Sequence, residues 1–235
     1  MEIIVISFLV LVQSIFGIGL LLFGTPTFIL LGYSYAETLS ILLPNSILIS
    51  LMQTIFTKKK NSKFIKDFNI FCIPVLIFSI FLILNNDYRI NFNILISLII
   101  LLIFSLSLIR NFIIFNSFST KIFLIIIGIV HGVSNLGGSL LSFLAVKLNE
   151  NDRYSSRFFI SYGYLTMASV QYLVLIILKE NIFNLIKLNY LILTFIIYFL
   201  IQKVFKKIKT NIYNKIIYLF AFFYGFYIFL KSIIS

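Results

Sequence analysis

"HGVSNLGGSLLSF" (residues 131–143) lies inside one of the most apolar stretches of the chain. It carries the only histidine, His131, together with Ser134, Asn135, Ser139 and the adjacent pair Gly137–Gly138. The leucines, isoleucines and phenylalanines around it suit a bilayer interior. The run itself holds residues that weaken helices and that need hydrogen-bond partners when buried. Irregular backbone at membrane depth is tolerated only against protein or a wet cavity. This stretch therefore decides between a plain bundle of membrane helices and a bundle with a helix broken around a binding site.

The wider composition sets the class. The chain has 235 residues, is 61% hydrophobic and has a mean hydropathy of +1.11, whereas soluble domains are about half apolar. Apolar runs of about 18 residues or more recur along the whole length, each long enough to cross a bilayer as a helix. They show no two-residue alternation, which argues against a β-barrel. The expected fold is an all-α polytopic membrane bundle of about seven to eight transmembrane segments. Only Met1 and Glu2 precede the first run, so a cleaved signal peptide is not expected there. The net charge of +12 sits mainly in short loops between apolar runs. That is the positive-inside pattern and not a nucleic-acid-binding domain. Cys72 is the single cysteine, so neither an intrachain disulfide nor a cysteine-based metal site is available. No cofactor is expected.

Eight apolar segments are expected at 2–23, 26–56 (crossing part 38–56), 68–85, 92–109, 121–148, 158–178, 184–201 and 215–234. They fall into two similar halves, 1–115 and 116–235, with four segments each. Each half opens with a glycine-bearing segment, "FGIGLLLFGTPTFILLG" (16–32) or "HGVSNLGGSLLSFLAV" (131–146). Each continues with a helix-like segment that ends "SLMQ" (50–53) or "SVQ" (169–171). Such duplication is common in transporters. The lysine-rich loops 57–67 and 202–215 are both expected in the cytoplasm. Five segments separate them, and five full crossings would place them on opposite sides. Segment 121–148 resolves the conflict if it forms a hairpin or a broken helix near Asn135–Gly138. A straight helix of that length would run about 42 Å, against a hydrocarbon core of about 30 Å. If 2–34 behaves alike, the halves are inverted repeats. The alternative is eight plain crossings with one loop violating the charge rule.

Gly137 and Gly138 can adopt conformations closed to other residues, and Ser139 would cap a helix restarting at Leu140. Thr25–Pro26 suggests the same in the first half, with Thr25 as N-cap and Pro26 at the first helical position. Two helix N-termini meeting at mid-membrane would form an anion site. Gly17, Gly19, Gly137 and Gly138 can also be read as close-packing residues between helices. His131 would relay protons or bind an anion, or sit neutral at a helix crossing. Ser134 and Asn135 would line the site. Asn45, Gln53 and Gln171 are polar within apolar runs and would bond substrate or a neighbouring helix. Glu37 and Arg157, which start the second and sixth segments, are expected at the solvated interface.

On these residues the chain resembles the TauE/SafE family of sulfite and organosulfonate exporters over nearly its whole length. Gly17, Gly19 and Pro26 match the family's first glycine-rich motif, and Gly137 and Gly138 the second. The chain departs from the family at Leu20–Leu22, where more glycines are common, and lacks the proline that follows the second motif. The resemblance implies a secondary transporter that exports a small anion, sulfite or an organosulfonate, from a multi-pass position in the inner (plasma) membrane. Homo-oligomers are compatible with it. No Walker loop, G-x-S-x-G elbow or H-E-x-x-H motif occurs, so an enzyme is not expected. The remaining alternative is an accessory or structural membrane subunit.

Overall fold

A computed structural model describes residues 2–57, 61–85, 115–178 and 187–219. The described residues contain helices and no strand. In chain order these are α1 (Glu2–Phe16), α2 (Leu20–Leu30), α3 (Tyr35–Phe56), α4 (Ser62–Phe71), α5 (Ile73–Asn85), α6 (Ser117–Ser134), α7 (Gly137–Leu148), α8 (Arg153–Leu178) and α9 (Leu188–Lys207), followed by a helical stretch at 210–219. The expected fourth segment, 92–109, lies outside the described residues, as do most of the eighth and the start of the seventh.

Among the described residues, five helical spans are long and apolar enough to cross a membrane: 35–56, 62–82, 117–134, 153–177 and 188–207. Helices α1, α2 and α7 are apolar but too short to cross alone. At a rise of about 1.5 Å per residue they reach only about 16–23 Å. Large apolar side chains point outward, among them Ile4, Phe78, Ile177, Leu188 and Leu200, as expected of a surface covered by lipid.

The helix ends follow local caps that hydropathy overlooks. Ser34 and Glu37 form a capping box at the start of α3, and Asn116 and Ser119 form one at the start of α6. Asn61 accepts from the Phe64 amide at 3.0 Å and starts α4. Lys63 and Lys66 therefore ride on a helix and not in a loop. The reason is that Phe64 and Phe68 are buried one turn apart, with Phe64 stacked on Phe159 at 3.8 Å. Lys203, Lys206 and Lys207 likewise belong to α9.

Helices α3 and α8 form the central pair; α1 packs on α9, and α5 on α6. The α5–α6 contact uses Gly128 and Gly132. A Cβ at Gly128 would lie 2.6 Å from the Cys72 carbonyl, and one at Gly132 2.6 Å from Ser79 Cβ. Small residues four apart thus let two backbones touch. Asn45 of α3 belongs to the same kind of packing. It donates to the Ile41 carbonyl and accepts from Thr194 of α9 at 2.8 Å, which ties α3 to α9 and satisfies both ends of its amide.

Candidate functional site: two broken helices

The chain breaks inside both glycine-bearing segments. The first break is at Gly17–Gly19, between α1 and α2; the second is at Asn135–Leu136, between α6 and α7. Gly17 has φ +82° and Asn135 has φ +63°, the only non-glycine with positive φ among the described residues. Each donates its amide to a carbonyl four residues back at 2.8 Å, Gln13 or His131. That is a left-handed helix cap, filled once by glycine and once by asparagine, the residue next most tolerant of it.

The likeness extends further. A Cβ at Gly19 would press on the backbone of Gln13 and Leu9 at 2.9 Å, and a Cβ at Gly137 on His131 and Ile127 at 2.5 Å. Both glycines meet the residues six and ten positions earlier, so each short helix folds back against the one before it. Gln13 and His131, Gly17 and Asn135, Gly19 and Gly137, and Gln53 and Gln171 are each 118 residues apart.

Two expectations about these breaks are corrected. Thr25 and Pro26 do not start a helix, because both lie inside α2, which begins at Leu20. The Leu20 amide is capped instead by the side chain of Gln13, whose Oε1 accepts at 3.0 Å. Ser139 does not cap a restart at Leu140 either. Helix α7 restarts at Gly137, and Ser139, already in its first turn, donates back to the Leu136 carbonyl at 2.6 Å. Ser134 receives the Leu136 amide at 3.3 Å and donates to Val130.

Both breaks leave buried polar atoms without a partner, Ser14 Oγ and Gln53 Oε1 at the first and a larger set at the second. At the first, Gln13 Nε2 reaches Ser46 Oγ at 3.0 Å and Ser50 Oγ at 3.2 Å, while Gln53 Nε2 donates to the Gln13 carbonyl at 2.7 Å. At the second, Asn135 Nδ2 donates to Thr25 Oγ1 at 2.7 Å, so that α2 is joined to the α6–α7 break. Around that bond stand buried polar atoms without a hydrogen-bond partner: Oδ1 of Asn135, the hydroxyl of Tyr164 and one ring nitrogen of His131, whose other ring nitrogen is within reach of the Gln171 amide. Gln171 of α8 is the polar side chain facing the His131 ring. Tyr164 of α8 meets that ring edge-on at 6.4 Å, and its hydroxyl lies where a Cβ on Gly138 would be, 1.8 Å away. Buried polar groups are almost always bonded. Several such groups lie together around one helix N-terminus and make the second break the candidate site. It presents an imidazole N–H, a phenol O–H and side-chain amides that can turn either end inward, and the first amides of α7 carry the partial positive charge of a helix start.

Thus His131, Asn135, Gly137, Gly138 and Gln171 gather at one place with Thr25, and Gly17, Gly19 and Gln53 gather at the other break. Pro26 is buried within α2 and Asn45 pairs across helices. Hydropathy missed Gln13 and Tyr164 and placed Arg157 at the solvated interface. Gln13 carried a signal, a long polar side chain in an apolar helix. Tyr164 carried none, since a tyrosine in a membrane helix is ordinary. Among the described residues no group of three or more His, Cys, Asp or Glu side chains is placed to hold a metal ion.

Substituting Asn135 separates its two roles. Asn135→Gly keeps the left-handed turn and loses only the bond to Thr25, for an expected cost of about 1 kcal/mol. Asn135→Ala adds the left-handed penalty and should cost roughly 2–3 kcal/mol. Thermal unfolding of the detergent-solubilised protein checks the order; equal losses would refute the backbone role.

No family model matches the chain, and neither a curated protein nor a solved structure does.

Proposed function

We propose that the chain is a secondary transporter of the TauE/SafE type, which exports a small anion such as sulfite or an organosulfonate through the bilayer. The observation that carries this reading is the set of unpartnered buried polar atoms at the second break, beside the N-terminus of α7. A structural subunit has no use for such groups, because each orphaned polar atom costs about 1–3 kcal/mol. The matched left-handed turns, 118 residues apart, support two repeats of four apolar segments over 1–115 and 116–235, seven to eight segments in all. In that arrangement α1–α2 and α6–α7 enter the membrane and turn back, which would leave both lysine-rich regions on the cytoplasmic side. Alternating access then follows from one repeat rocking against the other around the site. Outward movement of an anion is favoured by an inside-negative potential at about 2.3 kcal/mol per charge per 100 mV, so no nucleotide is needed.

The test is efflux from cells preloaded with sulfite. The native chain should speed efflux over empty cells, and Gly137→Leu should abolish it. His131→Ala should slow it by at least about tenfold if the imidazole holds the anion or its proton. No efflux of sulfite, of sulfonates or of thiosulfate, with the protein present in the membrane, would leave the accessory-subunit reading in its place.

A further inference from the structure

A second polar feature lies apart from the second break. Arg157, near the start of α8, is only 5% exposed. Its expected place at the solvated interface is thus corrected: α8 begins a turn earlier than hydropathy suggests, at Arg153, and carries Arg157 inward. The guanidinium donates from both terminal nitrogens to Gln202 Oε1 at 3.0 Å and from Nη2 to the Ser14 carbonyl at 2.6 Å. It lies over the Phe205 ring at 3.9 Å. Its Nε has no hydrogen-bond partner, and among the described residues no carboxylate pairs with it. The C-terminal end of α1, whose Ser14 carbonyl it holds, offers only a fraction of a charge. A buried cation without a counter-ion is strongly disfavoured unless something supplies the negative charge.

Arg157 also faces a cavity of about 560 Å³, lined by Tyr154, Tyr198, Gln202, Lys206 and Gln53 among others, within the size range of small-molecule sites. The cavity contains two cations and no acid. Gln53 links it to the first break: Oε1 of Gln53 is unpartnered and lies 3.8 Å from where a Cβ on Gly17 would be.

We propose that this cavity is an anion-binding vestibule in which the Arg157 fork, now closed on Gln202, takes two oxygens of a sulfite- or sulfonate-like anion, with Lys206 as its second charge. Planar bidentate recognition of oxyanions is what a guanidinium does best. This deepens the transport reading and rests on it for the anion's identity: the vestibule would load anions toward the breaks.

The test uses the full chain in phosphatidylcholine nanodiscs, titrated calorimetrically with sulfite and with methanesulfonate. The native protein should bind saturably. Arg157→Gln should weaken binding about tenfold or more, while Lys121→Gln on α6, whose ammonium lies over the Phe71 ring and does not line the cavity, should leave it unchanged. Gln202→Glu is the variant that keeps the result interpretable if Arg157→Gln fails to fold. It places a carboxylate of nearly the same shape on the guanidinium, so it should raise the unfolding temperature and abolish anion binding together. Sulfite binding to Gln202→Glu as tight as to the native chain, or no saturable binding to the native chain, overturns the proposal. Nanodiscs containing phosphatidylglycerol should leave the isotherm unchanged; competition there would assign the site to a lipid headgroup and also overturn it. Binding lost in Gln202→Glu without any cellular efflux would uphold the vestibule and sink the transport reading. Efflux undiminished in Gln202→Glu would do the reverse.

Discussion

Gln13→Ala should be the most damaging substitution in the first half of the chain, costing at least about 3 kcal/mol. The side chain is fully buried and bonds in three directions, to the Leu20 amide and to the hydroxyls of Ser46 and Ser50. Truncation strands the first amide of α2 and leaves a void between α1 and α3. Each stranded group costs about 1–3 kcal/mol, because no water reaches it. The loss should appear as a large drop in unfolding temperature and a reduced monodisperse yield in detergent. Ser46→Ala and Ser50→Ala each remove one of those bonds and should cost about 1 kcal/mol apiece. If Gln13→Ala costs no more than either serine variant, Gln13 does not organise the break.

The second large effect is expected at the adjacent glycines of the second break, where two substitutions of the same size should behave differently. A Cβ on Gly137 meets the Ile127 carbonyl and His131 Cβ at 2.5 Å, which is mainly backbone and cannot step aside. The three atoms nearest a Cβ on Gly138 all belong to the Tyr164 side chain, its hydroxyl and ring, at 1.8 to 2.8 Å. Both alanine variants should lose roughly 2–4 kcal/mol through overpacking. Tyr164→Ala should rescue much of the stability of Gly138→Ala and none of that of Gly137→Ala. A double-mutant cycle on unfolding temperature reads the difference. Rescue of both, or of neither, would show that the close approach of α7 to α6 and α8 is not what these glycines serve.

The membrane-helix class was plain from the sequence because it follows from composition and run length, which need no partner to interpret. The presence of a break in 121–148 was legible for the same reason: Asn135 and the following glycines interrupt a run too long for one crossing. Its place in the first half was not. Thr25–Pro26 has the local form of a helix start, yet Gln13 caps α2 from seven residues before Leu20, and local cap rules do not look that far back. Arg157 was misplaced for a related reason. Hydropathy ends a segment at the first charge, whereas Gln202, Ser14 and Phe205, drawn from two other helices, provide a buried place for it.

By itself, then, the sequence determined that the helices are long and apolar enough for a membrane, roughly where they run, and that polar residues are set among them. Those properties come from solvent preference and backbone conformation, which each residue expresses locally. Only the tertiary structure decided which polar groups satisfy one another. It closed Gln13 on Ser46 and Ser50, paired Asn45 with Thr194 and Asn135 with Thr25, and left His131, Asn135 and Tyr164 with unmet atoms beside the second break. Hydrogen-bond satisfaction depends on distance and direction between residues far apart in the chain. A list of polar residues therefore cannot tell a packing bond from a binding site until the helices are in place.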